Sequence, residues 1–363
     1  MTEINELFDK LILDIREEYL SEKQNFPWII GFSGGKDSTL VAHSIFTALL
    51  DISPSKLTRN VHIVSNDTLV ESPLVVSHLQ KSLVEIESAS KKLKLPIQIA
   101  VTKPNIENTF WVLLIGKGYP SPNSQMRWCT DRLKIQPTSS YIRNKVDSFG
   151  AAIVVLGVRS DESEIRRRSI AAHGDTKGSR LHPHKKLPGA FIYRPIVHLT
   201  TDEVWEILAS NAPPWGGDHN RLIKLYKDAA GGECPVVLSQ EEAPGCGTNS
   251  SRFGCWTCTV IEKDKSLQGF VDSGKRQYAP LIKFRDWLKE IRNDYRFRQS
   301  KRRTGKLTVG NNGKIIPGPF TIEARKMIFE KLLETQNEFG ESLISDSEVE
   351  IIQRIWATDL IEM

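Results

Sequence analysis

The segment SGGKDST at residues 33–39 constrains the fold more than any other feature, because it separates two apolar stretches. Residues 27–32 predict a buried strand, and residues 40–50 predict a helix. Two adjacent glycines at a strand-to-helix turn let the backbone approach a ligand closely. The amides that open the helix favour an anion there. The sequence therefore predicts a phosphate-binding loop within an α/β fold.

The apolar pattern predicts that strands and helices alternate. The predicted strands are residues 61–64, 97–101 and 152–156, and the predicted helices are residues 5–20 and 73–92. This alternation indicates an open, mostly parallel sheet with helices on both faces. Residues 171–190 predict a long mobile loop, and residues 345–363 predict a helix capped by Ser345 and Glu348. The predicted domains are 1–227 around the phosphate loop, a cysteine-rich segment at 228–270, and a basic, mainly helical region at 271–363.

Cysteine usage and hydropathy indicate the compartment. The chain has 363 residues, a net charge of +5 and five cysteines, four of them clustered. An odd, clustered set with no apolar leader favours metal ligation in a reducing cytoplasm over disulfides. No stretch approaches the roughly 18 apolar residues of a membrane span. We therefore expect a cytoplasmic protein without a membrane partner.

The phosphate loop contributes most of the predicted nucleotide site. Its candidate ligands are Ser33, Gly34, Gly35, Lys36, Asp37, Ser38 and Thr39. The spacing is not that of a Walker A loop. SGGKDS resembles the PP-loop of ATP pyrophosphatases, which grips the β,γ-pyrophosphate and leaves the α-phosphorus open to attack. Asp37 either caps the helix or helps to hold Mg²⁺. Asp67, which follows the second strand, either contacts adenosine or a metal, or caps its own loop.

Further segments at 127–134, 157–166 and 194–205 resemble the phosphoadenylylsulfate-reductase branch of the PP-loop superfamily. The resemblance covers residues 25–260 and implies the adenine nucleotide alpha hydrolase-like fold. Four cations are expected either to neutralise phosphate charge or to be surface or salt-bridge residues: Arg132, Lys134, Arg159 and Arg166. Arg159 is the strongest candidate, because it follows a buried strand at the ligand edge of the sheet.

Cys129 and the four clustered cysteines predict sulfur or metal chemistry. Cys129 is flanked by basic residues, which favour the thiolate, so it is a candidate nucleophile; a small core residue is the alternative. The clustered cysteines are Cys234, Cys246, Cys255 and Cys258. Their spacing, C-x11-C-x8-C-x2-C, is compatible with zinc or with a [4Fe–4S] cluster.

Segments 67–71, 128–132, 232–235 and 254–258 together resemble the DndC family, the sulfurtransferases of bacterial DNA phosphorothioation. The resemblance implies a [4Fe–4S] cluster on the four clustered cysteines, with Cys129 as the carrier of a mobile persulfide sulfur. It implies ATP and Mg²⁺ as cofactors. Its implied partners are DNA, a cysteine desulfurase and further subunits of the phosphorothioation system. The catalytic residues would then be Cys129, Lys36, Asp37 and Arg159.

Charge along the chain predicts where DNA binds. Residues 276–306 contain eleven Lys or Arg and three Asp or Glu, which suits a phosphate backbone. A second basic segment, residues 182–186, is expected to fold over the substrate.

Three other functions are compatible with these motifs. An adenylylsulfate or phosphoadenylylsulfate reductase is disfavoured, because such enzymes use a cysteine near the C-terminus and none follows Cys258. A tRNA thiolase would differ in the nucleic acid that it binds. A non-catalytic iron–sulfur sensor would bind nucleotide without releasing pyrophosphate.

Overall fold

The structure is a computed structural model that describes residues 3–21, 25–162, 180–229, 253–310, 313 and 315–361. Its centre is a six-stranded sheet in the order β3-β2-β1-β4-β6-β5. The strands are β1 (Trp28–Gly31), β2 (Val61–Asn66), β3 (Ile97–Thr102), β4 (Ala152–Val155), β5 (Leu181–Pro183) and β6 (Ala190–Tyr193). All neighbours pair in parallel except β5, which runs antiparallel to β6 at one edge.

The helices surround this sheet. They are α1 (Glu3–Leu20), α2 (Lys36–Leu50), α3 (Pro73–Lys92), α4 (Gln136–Phe149), α5 (Thr201–Ser210), α6 (Asn220–Ala229), α7 (Lys265–Asp272), α8 (Ala279–Ile291), α9 (Ile322–Phe339) and α10 (Asp346–Ile361). Two stretches, Val112–Gly116 and Thr130–Ile135, have the wider π-helical turn.

Alternate residues of the central strand enter two different cores. Trp28 and Ile30 of β1 belong to a large buried cluster that includes residues of α1 and α2. Ile29 points the other way and packs with Ile142 of α4 and Val154 of β4. Because side chains alternate across a strand, this division shows that helices cover both faces. The prediction of an open, mostly parallel α/β sheet with helices on both faces is therefore confirmed.

The C-terminal region packs into the larger core. The indole Nε1 of Trp111 donates a hydrogen bond of 2.7 Å to the carbonyl of Leu343. The rings of Trp111 and Phe284 lie 5.9 Å apart, edge to face. Residues on both sides of the expected boundary at 270/271 thus share apolar contacts, and the three domains remain a prediction.

Two local predictions have different outcomes. The capping box is confirmed, since Glu348 N donates to Ser345 Oγ at 3.3 Å and Ser345 N donates to Glu348 Oε2 at 3.0 Å. The loop predicted at 171–190 is wrong at residues 181–183, which form the edge strand β5, and at residue 190, which begins β6. His184, which we expected over the substrate, is buried and accepts the backbone N–H of Leu187. Residues 171–179 lie outside the described residues.

None of the helices in the described ranges is both long enough and apolar enough to cross a bilayer.

Candidate active site

The phosphate loop, residues 33–39, leads from β1 into α2 at the carboxyl edge of the sheet. Gly34 has a φ of 75°, a left-handed conformation that glycine adopts without strain. The Ser33 amide donates to Ser38 Oγ at 3.2 Å, and the two hydroxyl oxygens lie 3.0 Å apart. Gly35 is the N-cap of α2, so the following amides lie at the positive end of the helix dipole. The loop therefore has the backbone shape of an anion site.

A buried ion cluster lies directly behind the loop. Lys36 Nζ contacts Asp37 Oδ2 at 2.7 Å, and Arg159 Nε contacts Asp37 Oδ1 at 2.6 Å. Arg159 is only 1% exposed and also donates to the carbonyl of Leu199 at 3.2 Å and to Thr201 Oγ1 at 2.9 Å. The geometry makes Arg159 a support for Asp37. Its direct contact with a phosphate stays a prediction.

Gly157 allows β4 and the phosphate loop to approach closely. A β-carbon at Gly157 would lie 2.9 Å from the carbonyl carbon and oxygen of Asp37 and 3.0 Å from the amide nitrogen of Ser38. Real β-carbon contacts of this length are essentially absent from proteins. A side chain at this position would therefore displace the start of α2.

Two side chains that the sequence did not single out also hold the loop. The imidazole Nε2 of His78 on α3 lies 3.0 Å from the carbonyl oxygen of Gly34. The Lys36 amide donates to the hydroxyl of Tyr226 on α6 at 3.2 Å. These partners are 44 and 190 residues away along the chain, so no local pattern could have indicated them.

The loop after β2, residues 67–72, forms the neighbouring part of the same sheet edge. Asp67 Oδ1 accepts the Leu69 amide at 2.9 Å, and Asp67 Oδ2 lies 3.3 Å from Lys103 Nζ. Asp67 thus caps its own loop, and Leu69 takes a φ of 65° there. The alternative role for Asp67, a contact with adenosine or metal, stays a prediction.

Glu71 and Lys134 form an ion pair at this edge. Lys134 Nζ lies 3.4 Å from Glu71 Oε1, and only 11% and 13% of the two side chains are exposed. Burial raises the pKa of the Glu71 carboxyl, the Lys134 ammonium opposes this rise, and Asp67 adds to it. The predicted phosphate-binding cation Lys134 therefore lies against a carboxylate in this structure.

The second pair of clustered cysteines packs on the loop after β2. Cys255 forms an antiparallel bridge with Glu71, and its Sγ lies 3.5 Å from Thr68 Oγ1. The Ser72 amide donates to the carbonyl of Gly254 at 3.2 Å. The Cys258 amide donates to the carbonyl of Cys255 at 3.0 Å, which closes a turn between the two cysteines. Both thiols are half-buried, so this turn brings two metal-ligand candidates to the sheet edge that carries the phosphate loop.

Cys129 directly precedes the π-helical turn Thr130–Ile135. Cys129 is half-buried against the larger core, and its neighbour Trp128 donates its indole N–H to the carbonyl of Pro120 at 2.9 Å. Arg132 is partly exposed and lies near Asp131 and Gln136. A π-helical turn often marks a functional position. The role of Cys129 as a sulfur carrier nevertheless stays a prediction.

Three arginines of the basic segment 276–306 support the backbone. Arg285 is fully buried and donates to the carbonyls of Cys258, Ile261 and Glu262. Arg292 Nη1 donates to the carbonyls of Pro122 and Thr259 at 2.7 and 2.9 Å. Burial, followed by its cationic neighbours, lowers the pKa of Arg298 to about 10. The expected DNA surface must therefore rest on other cations of this segment.

Three predicted site residues, Arg166, Cys234 and Cys246, lie outside the described residues. Among the residues that are described, no three His, Cys, Asp or Glu side chains are grouped as metal ligands. Cys255 and Cys258 are the two cluster-ligand candidates among the described residues.

No family model matches the chain. A curated relative, the uncharacterized protein MJ0066 of Methanocaldococcus jannaschii, is 24% identical over 260 residues. That alignment covers 72% of this chain and 41% of the relative. The chain therefore spans less than half the length of the curated relative that it matches.

Solved structures that resemble this chain include the following three enzymes. The NH3-dependent NAD synthetase of Campylobacter jejuni has a TM-score of 0.38 and 15% identity, over 62% of this chain and 78% of its own. The phosphoadenylyl-sulfate reductase of Candida auris has a TM-score of 0.36 and 14% identity, over 62% and 92%. The U34-tRNA thiolase NcsA of Methanococcus maripaludis, solved with its [4Fe-4S] cluster, has a TM-score of 0.35 and 12% identity, over 78% and 80%.

Proposed function

We propose that the chain is an ATP-dependent sulfurtransferase of DNA phosphorothioation. In this reaction, a DNA phosphate is adenylated with release of pyrophosphate, and sulfur then replaces a non-bridging oxygen. The observation that carries the proposal is that the Cys255–Cys258 turn packs on the loop of residues 67–72, which lies beside the phosphate loop. Nucleotide chemistry and sulfur chemistry would share one edge of the sheet.

ATP suits this loop because polar groups remain there for a ligand. Thr39 Oγ1, on the first turn of α2, and Asn66 Nδ2, at the end of β2, are buried and have no hydrogen-bond partner among the described residues. Buried polar groups without a partner are costly. Phosphate and nucleoside oxygens would satisfy them, and the α2 dipole would favour the negative charge.

Magnesium does not fit Asp37 as the side chain is placed. Both carboxylate oxygens already face cations, Lys36 at 2.7 Å and Arg159 at 2.6 Å. A divalent ion there would be repelled by two positive charges. We therefore treat magnesium as part of the MgATP substrate and assign it no protein ligand.

Adenylation solves a leaving-group problem. The target phosphate oxygen attacks the α-phosphorus of ATP, and pyrophosphate departs toward the positive end of α2. The terminal sulfur of a cysteine persulfide, proposed on Cys129, then attacks the activated DNA phosphorus, and AMP leaves. A second thiol cleaves the S–S bond, so that one disulfide forms for each sulfur transferred. A cysteine desulfurase would supply the persulfide.

The cysteine turn fits an iron–sulfur cluster as far as it is described. Its two thiols are close in sequence, half-buried and next to a backbone bridge. A [4Fe–4S] cluster on Cys234, Cys246, Cys255 and Cys258 would supply thiophilic iron next to the nucleotide site.

The surface that we propose for DNA is the basic arm, residues 295–320. Its two ends pair, since the Gln299 amide donates to the Pro319 carbonyl and the Thr321 amide to the Phe297 carbonyl. It contains no Asp or Glu. Its exposed cations include Lys301, Arg303 and Lys306. Exposed cations without acidic neighbours suit a phosphate backbone and predict strong salt dependence.

Reconstitution tests this function directly. The purified chain would be incubated with MgATP, a cysteine desulfurase, cysteine, a thiol reductant and duplex DNA, with other phosphorothioation subunits added in parallel. We expect AMP and pyrophosphate, and sulfur-bearing dinucleotides in the nuclease digest by mass spectrometry. Asp37→Asn should abolish both products, whereas Asp147→Asn on α4 serves as the matched control. ADP and inorganic phosphate as products, or sulfur only in added tRNA, would refute the proposal.

A further inference from the structure

Helix α6 contacts the phosphate loop through Tyr226. The phenol oxygen accepts the Lys36 amide, the first amide of α2. The ring is held edge to face by Trp205 at 4.8 Å and by Phe253 at 4.7 Å. An amide that opens a helix normally faces solvent or a ligand. Tyr226 therefore fixes the direction of a group that belongs to the anion site.

The same helix contacts the loop a second time, through His78. Arg221 Nε on α6 lies 3.4 Å from His78 Nδ1, and the Gly34 carbonyl lies 3.0 Å from His78 Nε2. Since a carbonyl can only accept and a guanidinium can only donate, the neutral imidazole with its proton on Nε2 satisfies both neighbours. Glu85 holds Arg221 with two bonds of 2.8 and 2.6 Å.

Helix α6 also leads toward the cysteine segment. Its last residue, Ala229, is followed by the stretch that contains Cys234 and Cys246. Phe253, which packs on the Tyr226 ring, lies two residues before Cys255. A continuous series of contacts thus runs from the Lys36 amide through Tyr226 and Phe253 to the turn that bears Cys255.

We propose that Tyr226 and His78 are positioning residues for the phosphate loop, and that helix α6 couples the backbone conformation of this loop to the packing of the cysteine segment. The proposal rests on the proposed function for its reaction. Neither residue needs to touch ATP. Tyr226 orients the Lys36 amide, and His78 orients the Gly34 peptide, where the backbone is left-handed.

Single substitutions separate positioning from general support of the fold. Tyr226→Phe keeps the ring and removes only the hydroxyl. His78→Leu removes the hydrogen bond to Gly34, whereas His78→Gln keeps an N–H near the position of Nε2. In assays of pyrophosphate release with duplex DNA, we expect Tyr226→Phe and His78→Leu to lower kcat about fivefold, the equivalent of one ordinary hydrogen bond. The KM for ATP should rise by no more than about the same factor, and His78→Gln should recover most of the rate.

Tyr141→Phe is the matched control. Its hydroxyl lies 3.2 Å from His62 Nδ1, on the opposite side of the sheet from the loop contacts. This variant loses a phenol hydroxyl of the same kind and should keep the wild-type rate.

A double-mutant cycle tests the link to the cysteine segment. Phe253→Leu loosens the packing on the Tyr226 ring and should lower kcat in the same direction. Both changes act through one contact. The kcat of the double variant Phe253→Leu/Tyr226→Phe should therefore lie within twofold of the kcat of the slower single variant. Multiplicative losses would overturn the link.

The affinity for inorganic pyrophosphate, measured by calorimetry, tests this proposal independently of the proposed function. If the wild-type chain released no pyrophosphate from ATP, the proposed function would fail. The positioning proposal would then require weaker pyrophosphate binding in Tyr226→Phe and His78→Leu, by about fivefold each. Wild-type kcat and wild-type pyrophosphate binding in both variants would overturn it.

Discussion

Replacing Arg159 by Met should reveal how strongly the ion cluster behind the phosphate loop depends on one side chain. Met fills a similar volume but removes one of the two cations, Lys36 and Arg159, that contact the Asp37 carboxylate. It also removes the bonds to the Leu199 carbonyl and to Thr201. Breaking a buried ion pair by removing one member typically costs about 3–5 kcal/mol.

The contribution of the ion pair to stability is obtained by making Arg159→Met in the Asp37→Asn variant as well. In Asp37→Asn the buried negative charge is already absent, so Arg159→Met should then cost only the hydrogen bonds to the neutral acceptors Leu199 and Thr201 and the long contact with Asp161 at 3.5 Å, together about 2 kcal/mol. The difference between the two backgrounds, about 1–3 kcal/mol, measures the coupling of Arg159 to Asp37.

Urea denaturation of the wild type, both single variants and the double variant gives the four free energies of unfolding. Arg296→Met is the control, since that side chain is 82% exposed in its ion pair with Asp294 and should change stability by less than about 1 kcal/mol. Additive effects of Asp37→Asn and Arg159→Met, within about 0.5 kcal/mol, would refute the argument that Arg159 is retained to support Asp37.

Three further predictions concern other contacts. Gly157→Ala should destabilise the fold by about 1–3 kcal/mol and abolish pyrophosphate release, while Gly254→Ala, whose β-carbon would meet no atom within 4 Å, should do neither. Burial and then Arg221 lower the pKa of His78 to about 4. Between pH 6.5 and pH 4, His78 is therefore protonated in the unfolded state and neutral in the folded state. The free energy of unfolding should therefore be highest above pH 6.5 and should decrease between pH 6.5 and pH 4. Denaturation curves of His78→Gln should show a smaller decrease over this range than the wild type, by at most about 3 kcal/mol. Arg285→Met should remove about 3 kcal/mol and lower the iron content by elemental analysis, whereas the exposed Lys283→Met should leave both unchanged.

The sheet and the phosphate loop were predictable because their signals are local. The apolar run before Ser33 and the capping residues Ser345 and Glu348 each act within a few positions, and the structure places them as expected. Helix α3 has the predicted bounds of 73–92 because Pro73 can only begin a helix and the apolar period continues to its end.

The partners of the loop were not predictable, because burial of polar side chains depends on distant segments. Arg285 belongs to a run of basic residues that indicated a DNA surface, yet it binds three backbone carbonyls of the cysteine segment. Composition cannot distinguish these two uses of an arginine. The short edge strand β5 was missed because its three residues form only when β6 offers hydrogen bonds.

The order of synthesis has a consequence for the phosphate loop. Residues 33–39 are made early, but the side chains that hold this segment come from positions 78, 159 and 226. A ribosome-bound chain that has not yet added Tyr226 lacks one of these supports, even though the motif itself is complete. Under the proposed function, the loop would therefore bind nucleotide only late in folding, after the chain has extended well beyond its glycine-rich turn.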